Sequence, residues 1–253
     1  MDTIVYKVGR RLRSYYRRSY YYTSGLYFDY VLKNYRADGL SWTVPQELTS
    51  RISRGYYAQG NIEQDEQHLV KKHVSPRATV LELGANIGIV SSVINKRLIY
   101  PQNQVVVEAN PAVIPYLKKN KEGNRCLFKI ENCVISQEKE VSFFFGNTIS
   151  SGGIARENSD GSQQSVSVPG LTLADVQKKH KLTFDTLIMD IEGAEYNLLK
   201  EIEPYLDQFD LLIFEQHPSI LSREQLDEIN ALLQKNKLSL VDESGDTAVW
   251  RKN

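Results

Sequence analysis

The stretch Thr79-Val-Leu-Glu-Leu-Gly-Ala-Asn-Ile-Gly-Ile-Val-Ser91 decides the fold of this 253-residue chain. It begins as an apolar strand, passes through a turn with two glycines and continues as the start of a helix. Glycine adopts backbone conformations that other residues avoid, so such a turn lets a small ligand approach the main chain. Dinucleotide folds place a further glycine where the pyrophosphate comes close, but Asn86 stands there. The pattern E-x-G-x-x-x-G therefore favours a cofactor without a pyrophosphate, and S-adenosylmethionine is the commonest one.

Strand-like and helix-like segments alternate on both sides of this turn. The predicted order is strand 79–83, helix 88–98, strand 104–108, helix 111–121, strand 126–130, then helix 171–179, strand 183–190, helix 194–203, strand 209–215, helix 223–235 and a closing hairpin of 238–241 with 247–251. This alternation predicts parallel strands joined by right-handed crossovers, with an antiparallel addition at the end. We expect one α/β domain, residues 55–253, preceded by an extension, residues 1–54.

The alternation breaks between residues 131 and 170. Residues 134–136 and 141–145 predict a hairpin arm, and residues 146–161 are rich in turn-forming residues. A loop of that length in a compact domain is a lid, a binding loop or a disordered segment.

Charge is balanced overall but not along the chain. Basic and acidic residues number 31 each, yet residues 1–36 contain eight basic and two acidic residues, interleaved with nine tyrosines. This segment either grips a phosphate-bearing, glycan or membrane surface, or it is a helical extension that packs tyrosines on the main domain and leaves its arginines in water. Two cysteines and no long apolar run indicate a reduced, cytoplasmic protein without a transmembrane segment.

Polar residues follow the predicted parallel strands at the edge where ligands bind in such sheets. Gly84 and Gly88 leave room for the amino-acid part of a cofactor, and the helix that follows offers N–H groups to its carboxylate. Glu108 ends the second strand 24 residues after Gly84, and its two oxygens suit both hydroxyls of a ribose. Asn132, after the third strand, either contacts an adenine ring or is a turn residue.

The fourth and fifth strands end in ionisable residues. Asp190, Glu192 and Glu195 lie within six residues at a strand-to-helix turn, and Glu215 and His217 follow the fifth strand. Helix capping explains Glu192 or Glu195 but not Asp190, which ends an apolar strand. His217 has two possible roles. It acts in the site as a proton acceptor or metal ligand, or it is a structural histidine that is hydrogen-bonded within its loop.

The sequence resembles the FkbM-type S-adenosylmethionine-dependent methyltransferases from about residue 55 to about residue 220, and the D-x-E-G-x-E element at 190–195 is the most specific part of the likeness. The resemblance implies a class I methyltransferase fold, a Rossmann-like, mostly parallel seven-stranded sheet with a final antiparallel hairpin strand. It implies methyl transfer to an oxygen, often a sugar hydroxyl or one on a glycosylated metabolite. Carried over, the cofactor-binding residues are Glu82, Gly84, Ala85, Asn86, Gly88, Ile89, Glu108, Ala109, Asn132, Cys133 and Asp190.

An aliphatic hydroxyl needs a base or a metal to become a nucleophile near neutral pH. We assign the base to Asp190 or His217, with Glu192 or Glu215 orienting the partner; magnesium held by Asp190 and Glu215 is the alternative. Two rival functions are a nucleic-acid methyltransferase, for which the sequence carries no strong signal, and a non-catalytic binding protein on the same fold. The oligomeric state is not predicted.

Overall fold

The computed structural model describes residues 2–145, 152–153 and 164–253. The chain forms two compact units, Met1–Ile62 and Glu63–Asn253. The boundary predicted from the sequence, after residue 54, lies eight residues before this division.

The first unit is a helical hairpin with a small β-ribbon. Its elements are α1 (Asp2–Tyr27), a π-helical turn (Phe28–Leu32), β1 (Asn34–Ala37), β2 (Leu40–Thr43) and α2 (Arg51–Ala58). Helices α1 and α2 pack closely because glycines lie where they meet: a Cβ on Gly25 would come within 2.0 Å of the Arg51 carbonyl oxygen. From the sequence, Trp42-Thr-Val-Pro-Gln46 predicts only a short extended segment; it overlaps β2, and β1 was missed.

The second unit alternates strands and helices. Its helices are α3 (Gln64–His73), α4 (Ile89–Arg97), α5 (Ile114–Gly123), α6 (Leu173–His180), α7 (Glu195–Glu201) and α8 (Arg223–Lys235), with short 3-10 turns at Pro101–Asn103 and Glu203–Gln208. Its strands are β3 (Val80–Leu83), β4 (Gln104–Val107), β5 (Lys129–Glu131), β6 (Val134–Ile135), β7 (Glu140–Phe145), β8 (Gly152–Gly153), β9 (Gln164–Leu171), β10 (Thr186–Met189), β11 (Leu211–Glu215), β12 (Leu238–Ser244) and β13 (Thr247–Lys252).

The main sheet has seven strands in the order β12-β13-β11-β10-β3-β4-β5. The pairs from β11 through β10, β3 and β4 to β5 are parallel, and β13 pairs antiparallel with both β11 and β12. The predicted fold class is thus confirmed. Every residue of β3, β4 and β10 is buried, as expected for parallel strands covered on both faces.

A second, four-stranded sheet, β6-β9-β7-β8, replaces the predicted hairpin arm. No element was predicted between residue 161 and the helix at 171, and this is where β9 lies; it pairs antiparallel with β7, for example Val141 opposite Val168. The alternation of polar and apolar residues in β9 is short and ends in Pro169 and Gly170, which are rare inside strands. Most of the predicted lid, residues 146–161, lies outside the described residues.

Both N-caps of α6 and α8 were set by short polar motifs. Thr172 with Asp175, and Ser222 with Gln225, form capping boxes in which each side chain bonds the other residue's backbone N–H. These caps fix where the chain enters the two helices. Within the described residues, no helix combines the length and apolar character needed to cross a membrane.

Candidate active site

A cavity of about 270 Å³ opens at the carboxyl ends of β3, β4 and β10. Among its lining residues are Gly84, Asn86, Glu108, Ala109, Cys133, Asp190 and Glu192, all of which the sequence predicted as site residues, and Ile135, Val141, Phe143, Asn197 and Glu201, which it did not. The parallel topology causes this convergence, because parallel strands bring their carboxyl ends to one edge.

The β3–α4 turn depends on its two glycines. Gly84 and Gly88 have φ angles of 86° and 84°, in the left-handed region that favours glycine. A Cβ on Gly84 would lie 1.8 Å from the carbonyl oxygen of Asp190. The turn therefore packs directly on the backbone at the end of β10, and the two chain segments can approach only because residue 84 has no side chain.

Glu108 joins two backbone segments at the rim of the cavity. Its two carboxylate oxygens accept hydrogen bonds from the backbone N–H groups of Asn86 and Asn110, each at 2.7 Å. Burial raises its pKa, although these backbone bonds oppose the rise. A carboxylate offers about four lone-pair sites, so beside its backbone contacts with Asn86, Ala109 and Asn110 Glu108 keeps capacity to accept a bond from a ligand.

Several predicted cofactor residues lie behind the cavity rather than on its lining. The Glu82 carboxylate accepts bonds from the Ser91 hydroxyl (2.6 Å) and the Gln104 amide (2.8 Å), and burial raises its pKa to about 7. Asn132 donates to the carbonyl oxygens of Glu108 and Ala109. These two side chains therefore support the turns whose neighbours line the cavity. Ala85, Gly88 and Ile89 also lie outside the lining.

Four carboxylates surround His217. Its Nε2 lies 3.3 Å from Asp190, 3.9 Å from Glu192 and 3.9 Å from Glu215. Its Nδ1 lies 3.1 Å from Glu195 Oε1, an oxygen that also accepts the backbone N–H of Ile191. Glu195 is fully buried, so Nδ1 faces a buried carboxylate, and Nε2 faces the other three carboxylates.

The charges of this cluster are unusual. Burial is the main reason that the pKa of Asp190 is raised to about 7, and the negative charge of Glu215 is the second. His217 opposes the rise. Burial alone lowers the pKa of His217, but the contact with Glu195 and the charges of Glu195, Asp190 and Glu215 raise it to about 9. His217 is therefore an imidazolium at neutral pH, and Asp190 is the group that changes charge near neutrality.

Two further acids belong to this region, and the sequence analysis did not assign them to the site. The pKa of Glu63 is raised to about 8, and that of Glu66 is raised well above its ordinary value. In both cases burial is the largest cause and the charge of Asp190 the second. Glu63 immediately precedes α3 and Glu66 lies in its first turn, within the part of the sequence, from about residue 55, that resembles the family. That likeness was the available signal, but spacing gave no reason to join α3 to the strand ends.

The backbone is strained at four non-glycine residues of the region. Glu63, Asn86, Glu192 and His217 have φ angles of 51°, 48°, 55° and 47°. Such conformations cost about 1–2 kcal/mol each and persist only where the surroundings impose them, most often at functional sites. Here they turn the Asn86, Glu192 and His217 side chains at the strand ends.

Comparison with known proteins identifies the family. The sequence profile of the methyltransferase FkbM domain matches residues 82–239, more than half of the chain. The chain belongs to the FkbM methyltransferase family. It is accordingly an S-adenosylmethionine-dependent methyltransferase, and the candidate site just described lies within the matched residues except for α3 and its preceding turn.

Solved structures are similar in fold at low sequence identity. A putative S-adenosylmethionine-dependent methyltransferase from Streptococcus mutans has a TM-score of 0.50 at 12% identity, covering 87% of this chain and 55% of that one. A ribosomal protein L11 methylase from Lactobacillus delbrueckii subsp. bulgaricus has a TM-score of 0.46 at 14% identity, covering 74% and 77%. No curated protein matches this chain significantly in sequence.

The residues of this FkbM-family cavity fit the cofactor. Glu108 keeps acceptor capacity for a ribose diol, and the buried Asn86 Oδ1 has no hydrogen-bond partner within the part of the chain that the structure describes. A buried acceptor on a cavity wall needs a donor, and a bound ligand can supply one. The acidic lining also suits a molecule that carries a sulfonium and an ammonium group.

Proposed function

We propose that this methyltransferase transfers the methyl group to a hydroxyl oxygen, on a sugar, a glycan or a glycosylated metabolite. The observation that supports the proposal is Asp190, a carboxylate on the cavity wall whose pKa of about 7 matches what proton removal near neutrality requires. A hydroxyl acceptor needs such a base, whereas a more basic acceptor would not.

In this proposal the residues divide the work. S-adenosylmethionine, when bound, supplies an activated methyl group. Glu108 would hold the ribose of its nucleoside and the Gly84 turn its amino-acid part. Asp190 would accept the hydroxyl proton as the methyl group leaves sulfur and the carbon–oxygen bond replaces the carbon–sulfur bond. His217 stabilises the ionised form of Asp190 from 3.3 Å away.

We assign the base to Asp190 rather than His217 on charge. A histidine with a pKa of about 9 already carries a proton at neutral pH and has no lone pair free on Nε2. We assign the orientation of His217 to Glu195, because it is Glu195 that lies 3.1 Å from Nδ1. Both assignments narrow the alternatives that the sequence left open.

A divalent cation is the second version of the mechanism. Ligand atoms of Asp190, Glu192 and His217 lie within 4.8 Å of one another, and Glu215, the partner predicted from the sequence, lies 3.9 Å from His217. A metal there would lower the pKa of the hydroxyl directly, but it would first have to displace the proton from His217. Full activity after exhaustive chelation removes this version, and loss of activity restored by magnesium supports it.

The experiment is a methyl-transfer assay with isotope-labelled cofactor on glycan and glycolipid fractions, followed by mass spectrometry. We expect labelled products heavier by one methylene per sugar, formed by the wild type and lost by at least about a hundredfold in Asp190→Asn, since general-base catalysis contributes about 10²–10⁴. Exposed Asp210 provides the matched control as Asp210→Asn. Label found instead on a nitrogen or in nucleic acid, with carbohydrate unlabelled, overturns the proposal.

A further inference from the structure

The first unit has charge and surface properties that the methyltransferase reaction does not explain. Its 62 residues contain ten basic and four acidic residues, a net charge of +6, which leaves −6 for the second unit. Between residues 14 and 62, where its side chains are described, it also exposes seven large apolar or aromatic side chains: Tyr15, Tyr16, Tyr20, Tyr22, Tyr27, Tyr30 and Val31. Cationic and aromatic groups are thus concentrated on one small unit.

One side of α1 packs on α2, and exposed tyrosines lie on other sides of the helix between residues 14 and 27. Tyr21 stacks on Tyr56 with ring centroids 3.8 Å apart, and Ser24 and Gly25 are buried on the same side. Tyr15 and Tyr16, by contrast, are both 73% exposed. In the sequence before them, Ile4, Val8 and Leu12 recur at intervals of four residues, the spacing of one helical face.

A cationic groove runs beside these tyrosines. It encloses about 470 Å³ and is lined by Tyr15, Arg18, Ser19, Tyr22, Ser50, Arg51 and Ile52. Arg51 is held by Asp29 (3.3 Å) and by the Tyr22 hydroxyl (2.7 Å). Arg18 is exposed. Two guanidinium groups in one groove suit a phosphate oxygen.

We propose that α1 lies along the surface of an anionic lipid bilayer, with lipid phosphates in the Arg18–Arg51 groove and the exposed tyrosines at the headgroup level. Amphipathic helices with arginines beside an apolar face bind in this way, and tyrosine favours the interface because its ring is apolar and its hydroxyl polar. At 26 residues, α1 would extend about 39 Å along the surface at 1.5 Å per residue.

Other occupants fit the surface less well. A small soluble ligand would fill the groove but leave Tyr16, Tyr27 and Tyr30 uncovered. A second copy of the chain would bring two units of net charge +6 together, and like charges repel. Single-stranded nucleic acid stacks its bases on aromatic rings, but this does not account for the aliphatic residues that precede Tyr15 at helical spacing.

The test is co-sedimentation of the full-length protein with vesicles, either of phosphatidylcholine alone or of equal parts phosphatidylcholine and phosphatidylserine. We expect binding to the mixed vesicles to be at least about tenfold stronger, because each basic residue near an anionic surface contributes about a fivefold effect. Arg18→Gln should weaken binding about fivefold. The triple variant Tyr15→Ser, Tyr16→Ser, Tyr30→Ser should weaken it at least about tenfold.

Matched controls come from the second unit, where Tyr100 and Arg77 are exposed. Tyr100→Ser and Arg77→Gln should bind vesicles as the wild type does. Binding of S-adenosylhomocysteine by every variant, measured in parallel, shows that the second unit is folded and is independent of the lipid result.

Four outcomes overturn the proposal. These are a wild type that stays in solution with mixed vesicles, tyrosine variants that sediment as the wild type does, retention on RNA without vesicle binding, and a dimer in solution that the tyrosine substitutions dissociate.

Discussion

At the scale of single residues, Asp190 and His217 each have a charge state that the other helps to set. Asp190 is one of the groups that raise the pKa of His217, and His217 opposes the rise in the pKa of Asp190. Their titrations are therefore coupled. Activity should follow a bell-shaped pH profile, rising as Asp190 ionises near pH 7 and falling as His217 loses its proton near pH 9.

The first prediction concerns Glu195. Glu195→Gln removes the buried negative charge 3.1 Å from His217 Nδ1, so the pKa of His217 should fall from about 9 toward its ordinary value. NMR titration of the imidazole nitrogens measures this pKa without any acceptor substrate. Glu228→Gln, on the exposed surface, is the control and should leave the pKa unchanged. An unchanged His217 pKa in Glu195→Gln would show that Glu195 does not set the charge of the ring.

The second prediction concerns Gly84. Gly84→Ala would place a Cβ 1.8 Å from the Asp190 carbonyl oxygen, at a φ of 86°. Gly39 also has a left-handed backbone, with a φ of 75°, but a Cβ added there would have no atom within 4 Å. Gly39→Ala therefore measures only the free-energy cost of the left-handed conformation, about 1–2 kcal/mol. The free energy of unfolding in denaturant should fall by at least about 2 kcal/mol more for Gly84→Ala than for Gly39→Ala. Equal losses would mean that the close approach of the two chain segments is unimportant.

Residue patterns predicted the residues that line the cavity better than those that hydrogen-bond behind it. Gly84, Asn86, Glu108 and Asp190 were identified because each breaks an apolar strand at its carboxyl end, and that position does not depend on side-chain direction. Glu82 has the same signature but its carboxylate bonds Ser91 and Gln104 behind the turn. Which way a strand-end side chain points depends on packing, and spacing alone does not specify packing.

At the scale of elements, the second sheet forms one wall of the cavity. Its cluster of Val134, Val141, Phe143 and Val168 is buried, and Val141 and Phe143 line the cavity. Strand alternation places Phe144 on the opposite face of β7. The two neighbouring phenylalanines therefore form a matched pair for a test.

The third prediction uses that pair. Phe143→Ala should weaken binding of S-adenosylhomocysteine about tenfold, because burial of about 50 Å² of apolar surface is worth about 1.3 kcal/mol. Phe144→Ala, which lies outside the lining, should change the affinity by less than about threefold. Calorimetric titration measures both. Equal weakening by the two variants would show that β7 does not form the wall.

The elements of the main sheet were predictable because long apolar runs and helical periodicity are local signals. Helix α8 has the bounds that the sequence predicted, 223–235, set by the capping box at Ser222. Strands β1 and β9 were missed since each owes its conformation to a partner strand. For β9 the partner, β7, lies about twenty residues away along the chain, and no local pattern reports such pairing.

At the scale of the whole molecule, the site concentrates negative charge that burial makes costly. The pKa values of Glu63, Glu82 and Asp190 are raised to about 8, 7 and 7. A raised folded-state pKa contributes stability that is present below the unfolded pKa and is lost as the pH rises through the folded value. His217, with a pKa raised to about 9, acts in the same direction.

The fourth prediction is the pH dependence of stability, because all these raised pKa values act in the same direction. The free energy of unfolding of the cofactor-free protein should fall between about pH 5 and pH 8, because the unfolded chain releases protons that the folded site retains. Denaturant titrations across this range measure it. Asp190→Asn should flatten the dependence, whereas the exposed-surface variant Asp210→Asn should not. Stability that rises with pH over the same range would contradict the assigned burial of these acids.

The most direct test of the central claim, that the rim of the main sheet binds the adenosyl cofactor through Glu108, is calorimetric titration with S-adenosylhomocysteine and with its 2′-deoxyribose analogue. The wild type should prefer the diol by about 10–100-fold, the value of one hydrogen bond to a charged acceptor. Glu108→Ala should bind both compounds equally weakly, while Glu122→Ala, on exposed α5 surface, should retain the preference. A wild type that binds neither compound, or a Glu108→Ala variant that still prefers the diol, would contradict the account.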